Sequence, residues 1–407
     1  MNSPGLRVVA AVLACLCVAG CTEKIVIPEP PVPQKKDYDR QLPPGAPALR
    51  LIEDPALLPD FRAAWRTDRD ALLTALDHSI RYFTYPSSRR YYPIQGITHE
   101  RAAQSLIAFR EILAASRSGS EFSARVLSAF DVYQSVGCDN RGTVLFTGYY
   151  TPIFDASRVR TEEYRWPLYK LPPDLVKDRE GRCLGRRLES GALVPYYTRA
   201  EIMNGALDGH ELIYLKDRFA AYICTVQGSA KLRLRDGSLI DVGYHGNNGH
   251  RYTSIGRLLL RDGRIRPEQL SLSGLMSYFD THGDMLDDYL RRNDRYVFFR
   301  ESEQEPTGSL GLPVTAYCSL ATDKDIYPRG CLTYVDTRVP EVGPAGTASP
   351  MPFRRFMLDQ DTGGAIRAPG RADIYIGVGD RAGRIAGWTL SEGELYYLFL
   401  KDDGRRM

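Results

Sequence analysis

The chain of 407 residues lacks the short motifs that mark several common enzyme classes. It contains no P-loop, no G-x-S-x-G and no H-E-x-x-H segment, so the corresponding phosphate-binding, α/β-hydrolase and zinc-peptidase classes have no support. No C-x-x-C pair occurs, which argues against a zinc or dithiol redox site. No segment repeats at a fixed period, which argues against a solenoid or a propeller.

Concentrated positive charge is also absent. The formal net charge is +3 and no Lys/Arg-rich block occurs, so we expect no nucleic-acid partner. The segment GVGDRAG, at residues 377–383, loosely matches a nucleotide-binding loop. It lacks the helical pattern and the acidic partner that a Rossmann fingerprint requires, and we therefore expect no nucleotide cofactor.

The N-terminus carries the clearest compositional signal. After Arg7, residues 8–21 form an apolar run that is too short to remain as a membrane-spanning helix and is typical of a signal peptide. The run ends in small residues before Cys21, as in bacterial lipoprotein signals, so we expect residues 1–20 to be removed and Cys21 to carry lipid. An ordinary signal peptide with an incidental cysteine is the alternative. Residues 21–50 are rich in proline and are predicted to form an extended tether.

Cysteine usage fits an exported protein without fixing its disulfides. Of the eight cysteines, two lie in the predicted signal peptide and Cys21 is the expected lipid site, which leaves five. An odd number leaves at least one thiol outside any internal bridge in an oxidising compartment. Cys318 and Cys331 bracket a short loop and are the pair that we expect to be bonded.

Hydrophobic periodicity predicts a mostly β protein with a helical N-terminal part. We expect one helix around residues 61–83, a second after Thr98 as its N-cap, and a third over residues 122–133. Short strands then dominate, among them AAYICTVQG at residues 220–228, with one helical interruption at residues 272–293.

Two carboxylates flank a glycine-rich turn in the segment DTGGAIRAPGRADIY, residues 361–375. If residues 372–376 form a strand, Ala372 and Ile374 face the core, while Asp373 and Tyr375 face the other side. Asp373 is then placed to form the floor of a groove. Composition alone favours the alternative that Asp373 ends a turn.

Asp361 precedes Gly363 and Gly364, which permit a tight turn or the close approach of a ligand. Asp323 lies on a third short loop, and three such carboxylates are suitable ligands for a hard cation. Each stands alone, however, without the D-x-D-x-D spacing of calcium loops. We therefore expect no metal site.

Polar and aromatic residues cluster in the segment VGYHGNNGHRYTSIG, residues 242–256, which includes Asn248 and Gly249. Amides and aromatic rings at this density suit sugar recognition, although an ordinary polar loop is the alternative. Two further segments contribute Tyr150, Thr151 and Gln227.

Taken in order, six segments resemble the membrane-bound lytic murein transglycosylase A family. They are FTGYYTPIFDAS, VQGSAKLRL, GYHGNNGHRYTSIGRLL, RYVFFRE, SLATDKDIYPRG and LDQDTGGAIRAPGRADIYIGVGDRAGRIAGW. The last two also resemble the three-aspartate (3D) domain, whose aspartates match Asp323, Asp361 and Asp373. The stretch between the last two of these is slightly longer than the family motif, which bears on the loop conformation.

The resemblance implies a double-psi β-barrel built from residues 51–152 and 306–407, with a second β-barrel-like domain, residues 153–305, inserted between them. It implies an enzyme without cofactors that cleaves the bond between MurNAc and GlcNAc in peptidoglycan and leaves a 1,6-anhydro-MurNAc end. The implied location is the periplasmic face of the outer membrane, with a lipid anchor at Cys21. Wall-synthesis complexes are a candidate partner.

The same resemblance assigns roles to residues. Asp373 is the expected catalytic acid, and Asp361 and Asp323 are expected to support it. The expected substrate-binding residues are Tyr150, Thr151, Gln227, Asn248, Gly249 and Tyr375. Two other functions stay open: a non-catalytic lipoprotein that binds peptidoglycan, and a hydrolytic muramidase.

Overall fold

The computed structural model of the protein describes residues 36–66, 68–178, 181–266, 269–270, 272–302, 307–342, 348–363 and 366–402. The predicted signal peptide, the predicted lipid site at Cys21 and residues 21–35 of the predicted tether lie outside the described residues, as does Gly364. Residues 37–402 belong to one compact unit as far as they are described.

The helices of the described residues fall into an N-terminal group and a later group. They are α1 (Arg69–Thr84), α2 (His99–Ala115), α3 (Gly119–Ala129), α4 (Arg199–Glu201), α5 (Arg218–Gln227), α6 (Ile255–Arg261), α7 (Leu272–Thr281), α8 (Leu286–Arg291) and α9 (Gly379–Trp388).

Strands make up most of the remaining regular structure. They are β1 (Leu49–Leu51), β2 (Phe130–Ser135), β3 (Val144–Thr151), β4 (Ile153–Ser157), β5 (Trp166–Tyr169), β6 (Leu175–Lys177), β7 (Cys183–Arg187), β8 (Leu193–Val194), β9 (Glu211–Leu215), β10 (Ser229–Leu234), β11 (Leu239–Asn247), β12 (Val297–Ser302), β13 (Ser319–Ala321), β14 (Leu332–Val342), β15 (Ala348–Asp361), β16 (Arg371–Val378) and β17 (Leu390–Leu400).

Side-chain caps fix where the N-terminal helices begin. The Thr98 hydroxyl accepts a hydrogen bond from the Arg101 N–H at 3.1 Å, which confirms the predicted start of α2. The Asp68 carboxylate caps α1 in the same way, so that helix begins after Trp65 and not before it. The third predicted helix ends early, because Phe130 begins a strand that pairs with β17.

The first of the three sheets in the described residues contains a closed barrel. Its strands follow the order β17–β14–β15–β13–β16–β3, and a direct pairing between β3 and β17 closes the ring of six. Strands β13 and β15 run parallel, as do β16 and β3, while the other neighbours are antiparallel. Helix α1 packs on β15 and α2 packs on β17. The buried rings of Phe109 on α2 and Phe122 on α3 contact Phe356 of β15.

A second sheet has the order β12–β11–β10–β4–β9–β5. A bridge between Lys170 and Phe299 joins its two outer strands, which makes the sheet barrel-like. Helix α5 packs against β5, β9, β10 and β12, and Ala220, Ala221 and Cys224 fill the interior. A small third sheet contains β6, β7 and β8. The prediction of a mostly β protein with a helical N-terminal part is therefore confirmed.

Two segments that looked non-helical in the sequence are helices. Residues 220–228 were expected to be a strand, yet α5 spans most of them: Asp217 caps its start, and Gly228 ends it with a left-handed φ of 78°. The segment at 377–383 was expected to lack a helix, yet α9 begins at Gly379. At α5 the end signals outweighed the local preference of the intervening residues, whereas α9 begins after Val378 without a side-chain cap.

The expected bridge between Cys318 and Cys331 is wrong: neither thiol is in a disulfide. Strand β15 separates them, because Leu358 donates its N–H to the Cys318 carbonyl at 2.8 Å and Asp359 donates its N–H to the Cys331 carbonyl at 2.9 Å. Two strand spacings amount to about 9.6 Å. A disulfide requires Cα atoms within about 6.8 Å, so the barrel holds the two cysteines too far apart.

Candidate active site

Asp361 and Asp373 meet at one residue of the barrel, Ala321. In strand β13, Ala321 pairs with Asp361 of β15 on one side and with Asp373 of β16 on the other. All three residues line the same cavity, so their side chains lie on one face of the sheet. Because the residue between the two carboxylates carries only a methyl group, the space above it stays open.

The carboxyl group of Asp373 is held in a setting that favours its protonated form. Its Oδ1 atom is enclosed and has no hydrogen-bond partner among the described residues. Burial raises the pKa of Asp373 from 3.8 to about 7, which outweighs the lowering by the Thr147 side chain and the Arg371 guanidinium, and the negative charge of Asp361 raises it further. A carboxyl with this pKa can both donate and accept a proton at neutral pH.

Asp361 has a different environment, in which both oxygens are engaged. Its Oδ2 accepts the Tyr149 hydroxyl at 3.0 Å, and its Oδ1 accepts the N–H groups of Ser309 and Thr362, each at 2.8 Å. Burial raises the pKa of Asp361, while these three donors and the charge of Lys324 oppose the rise. The carboxylate is thus fixed in position beside Asp373.

Lys324 belongs to a buried polar network behind Asp361. Its ammonium group pairs with Asp359, and the Thr322 hydroxyl and the Tyr397 hydroxyl also donate to that carboxylate, at 2.8 Å and 2.7 Å. Burial lowers the pKa of Lys324, and the charges of Asp359 and Asp361 oppose that effect. A buried charge pair of this kind costs desolvation energy, which the surrounding hydrogen bonds offset.

Asp323, the third of the matched aspartates, does not line any described cavity that contains Asp373. It is buried, and its carboxylate accepts the Asp325 N–H at 3.1 Å and the Ala368 N–H at 2.8 Å. Ala368 has a left-handed φ of 75°, an uncommon conformation for a residue with a side chain. Asp323 therefore fixes the backbone at Ala368, five residues before Asp373.

Two cavities meet at Asp373, and together they form the groove of the candidate site. The first, which we call the aspartate cavity, has a volume of about 700 Å³. It is lined by Tyr149 and Asp361 of the barrel and by Tyr244 and Arg300 of the second sheet. The second, the arginine cavity, has a volume of about 1010 Å³. Both share Val226, Gly363 and Asp373 as lining residues.

The predicted binding residues fall into two sets. Tyr150, Thr151 and Gln227 all line the aspartate cavity. Tyr375 is buried beneath it, and its hydroxyl lies 2.9 Å from the Thr151 hydroxyl. Tyr375 therefore supports a residue of the groove and does not face the groove itself.

Asn248 and Gly249 lie elsewhere and line neither cavity of the groove. The Asn248 amide donates to the carbonyls of Tyr197 and Asp294 and accepts the Tyr296 N–H, at distances of 2.9, 2.8 and 2.8 Å. Gly249 has a left-handed φ of 80° and packs close to Cys183. These contacts give both residues a structural role in the second sheet.

Sequence reasoning missed Lys324, Asp359 and Ser309. Lys324 directly follows Asp323, and Asp359 lies two residues before Asp361, but charged residues near a turn normally indicate solvent exposure. Ser309 donates its backbone N–H to Asp361, a contact that any residue except proline can make, so the identity of its side chain did not indicate a role in the site.

The described residues contain neither a candidate metal cluster nor a candidate membrane-spanning helix. No group of three His, Cys, Asp or Glu side chains in the described ranges could hold a metal ion. No described helix has the length and apolar character to cross a bilayer.

A carboxyl group that exchanges a proton near neutral pH, at the floor of a groove lined by two β-sheets, has the chemistry of a general acid–base enzyme. Comparison with known proteins agrees with this class. Residues 145–300 match the family described as the MltA specific insert domain, and residues 318–399 match the 3D domain.

Sequence relatives cover about two thirds of the chain. The membrane-bound lytic murein transglycosylase A of Escherichia coli (strain K12) is 35% identical over 272 residues, which span 66% of this chain and 69% of that protein. The protein of the same name from Vibrio cholerae is 32% identical over 271 residues, 65% of this chain and 68% of that protein. The chain belongs to the membrane-bound lytic murein transglycosylase A family.

Solved structures extend the similarity over most of the chain. A membrane-bound lytic murein transglycosylase from Agrobacterium tumefaciens gives a TM-score of 0.69 at 26% identity and covers 87% of this chain and 98% of that chain. Escherichia coli MltA with bound chitohexaose gives a TM-score of 0.65 at 28% identity and covers 91% and 98%.

Proposed function

We propose that this protein is a lytic transglycosylase that cleaves the β-1,4 bond between MurNAc and GlcNAc in peptidoglycan and leaves a 1,6-anhydro-MurNAc end. Its family membership supports this activity. The observation that carries the chemical assignment is the position of Asp373, whose enclosed carboxyl lies where the two cavities of the groove meet.

In the first step, protonated Asp373 donates its proton to the oxygen that links the two sugars, and the bond from that oxygen to C1 of MurNAc breaks. In the second step, the Asp373 carboxylate accepts the proton of the C6 hydroxyl of the same MurNAc while O6 bonds to C1. The carboxyl regains its proton, and no water is consumed. One group with a pKa of about 7 serves both steps.

Asp361 does not act as a second catalytic carboxylate in this proposal. Glycosidases with two carboxylates use the second as a base or as a nucleophile, which requires it to face a water molecule or C1. In Asp361, three donors already occupy the two oxygens. Its negative charge instead favours the protonated form of Asp373.

The groove supplies the sugar contacts. Tyr150, Thr151 and Gln227 line the aspartate cavity and are proposed to bind the glycan. We assign no substrate contact to Tyr375, Asn248 or Gly249. The groove is proposed to lie between two domains, one of residues 51–152 and 306–407 and one of residues 153–305, since both β-sheets contribute to its walls.

The proposed location is the periplasmic face of the outer membrane, with Cys21 as the lipidated residue. The sequence around Cys21 and the names of the relatives, which describe them as membrane-bound, support membrane association. Peptidoglycan strands are the proposed partner. Wall-synthesis complexes are candidate protein partners, because a lipid anchor would hold the protein beside the cell wall.

Mass spectrometry of the products released from purified peptidoglycan tests the proposal. A lytic transglycosylase releases anhydro ends, which are lighter by one water than reducing ends. Reducing ends alone identify a hydrolytic muramidase instead. If the wild-type protein binds peptidoglycan and releases neither product, the protein is a non-catalytic binding lipoprotein.

A further inference from the structure

The two cavities of the groove differ in charge. The arginine cavity is lined by Arg257, Arg261, Arg295 and Arg367, and Asp373 is the only carboxylate among its described lining residues. The described lining of the aspartate cavity contains one arginine, Arg300, together with Asp361 and Asp373. Positive charge is therefore concentrated on one side of Asp373.

Some of these guanidinium groups have acidic neighbours. Arg261 lies 3.2 Å from Asp262, and Arg367 lies 3.4 Å from Asp325 and 3.7 Å from Asp323. These pairs reduce the charge that the two arginines offer to a ligand.

Arg257 and Arg295 have no such compensation: no described carboxylate lies within ion-pair distance of either one. Arg295 is half-buried and is held in place by the His250 carbonyl, 3.3 Å from one of its terminal nitrogens. Arg257 lies one turn before Arg261 on α6, so two like charges face the same cavity. Such a pair weakens a helix unless an anion lies between them.

The sugars of a peptide-bearing strand do not require this charge, because GlcNAc is neutral and the lactyl carboxyl of MurNAc is neutral once it is joined to the peptide as an amide. In peptidoglycan, the negative charge is carried by the carboxylates of the peptide attached to the lactyl group of MurNAc. Guanidinium groups match carboxylates in geometry as well as in charge.

We infer that the arginine cavity binds carboxylates of the peptide stem, with Arg257 and Arg295 as the principal contacts, so that the protein prefers glycan strands that carry peptides. This inference rests on the proposed function and adds a substrate preference to it. Salt weakens the preference, because Arg257 is exposed and its contacts are screened.

Binding to an inactive protein tests the preference directly. In a D373N background, titration calorimetry compares a tetrasaccharide of alternating GlcNAc and MurNAc that carries tetrapeptides with the same tetrasaccharide whose lactyl groups end in primary amides. The amides keep the control neutral, since a lactyl group without a peptide would itself be a carboxylate. We expect tighter binding of the first, and each of R257Q and R295Q is expected to reduce the ratio of the two affinities by about two- to fivefold. R257K keeps the charge and is expected to retain most of the ratio.

Arg117 provides the matched control, since it is exposed on the barrel side and lines no described cavity of the groove. R117Q is expected to leave the ratio unchanged. Equal affinity for both tetrasaccharides, or a ratio that R257Q and R295Q together do not change, would overturn the inference. The binding measurement is separate from catalysis. If the wild-type protein does not cleave peptidoglycan, the proposed function is wrong. If the protein cleaves peptidoglycan but shows no peptide preference, only this inference is wrong.

Discussion

Asp361 and Asp373 are neighbours of the same residue, Ala321, from opposite sides of strand β13. Their backbones are two strand spacings apart, about 9.6 Å, with a single methyl group between them on the groove face. The arrangement places a fixed negative charge near an acid without a direct hydrogen bond between the two. The charge then raises the pKa of Asp373 while leaving the carboxyl free to reach a substrate.

The pH dependence of kcat/KM follows from the pKa of Asp373. The first proton transfer requires the protonated form, so kcat/KM is expected to fall tenfold per pH unit once the pH exceeds about 7. The D361N variant removes a negative charge that raises this pKa, so its alkaline limb is expected to begin at a lower pH. Initial rates from pH 5 to pH 9 provide the measurement. If kcat/KM begins to fall at the same alkaline pH in both proteins, the electrostatic role of Asp361 is contradicted.

The same pKa predicts how stability changes with pH. The folded state keeps the Asp373 proton up to about pH 7, whereas the unfolded state loses it near pH 3.8, so the wild-type protein loses stability as the pH rises between these values. D373N removes this linkage. It is expected to unfold at a higher temperature than wild type at pH 8 and at the same temperature near pH 4.

The size of that difference can be bounded. At about 1.36 kcal/mol per pKa unit, a change from 3.8 to about 7 corresponds to roughly 4 kcal/mol. Although its Oδ1 atom is enclosed, the Asp373 side chain as a whole is half-buried, and solvent screening reduces the expected difference to ~1–2 kcal/mol at pH 8. Thermal unfolding of both proteins in matched buffers measures it. A D373N variant that is less stable than wild type at pH 8 would show that burial does not disfavour the ionised form of Asp373.

The buried pair of Lys324 and Asp359 gives a third prediction. K324M leaves the Asp359 carboxylate buried without its cation and is expected to cost about 3–5 kcal/mol in the free energy of unfolding. A double variant, K324M with D359L, removes both charges and is expected to recover most of that loss. Urea unfolding measures both.

An exposed pair serves as the control for this experiment. Arg354 and Asp336 lie 3.0 Å apart on the barrel surface, and R354Q is expected to cost less than about 1 kcal/mol. If K324M costs no more than R354Q, the pairing of Lys324 with Asp359 does not stabilise the barrel.

Local patterns predicted part of this molecule correctly. Alternation along residues 372–376 predicted that Ala372 and Ile374 are buried, and Thr98 marked the start of α2. Each of these features depends on neighbours within a few residues. Helix α5 was missed because Tyr222, Ile223 and Thr225 favour strands locally, while the packing of α5 inside the second sheet favours a helix.

Local sequence patterns could not predict features that depend on the order of the strands in the sheet. The contact of Asp361 and Asp373 with Ala321 arises because β13 inserts between β15 and β16, and nothing near Ala321 in the sequence indicates that order. The same topology separates Cys318 from Cys331, which are close in sequence. The buried position of Tyr375 was also hidden, because alternation predicts a face of the strand but not what covers that face.

The most direct test of the central claim compares wild type and D373N on purified peptidoglycan at pH 6, with released products measured by mass spectrometry and binding measured by sedimentation. Asparagine matches the shape of the protonated carboxyl, but its amide N–H groups are not acidic enough to protonate the glycosidic oxygen. We predict that wild type releases 1,6-anhydro-MurNAc ends, and that D373N binds the same material and releases at least about a thousandfold less. Release of anhydro ends by D373N at a rate close to wild type would contradict the assignment of Asp373 as the single acid–base group.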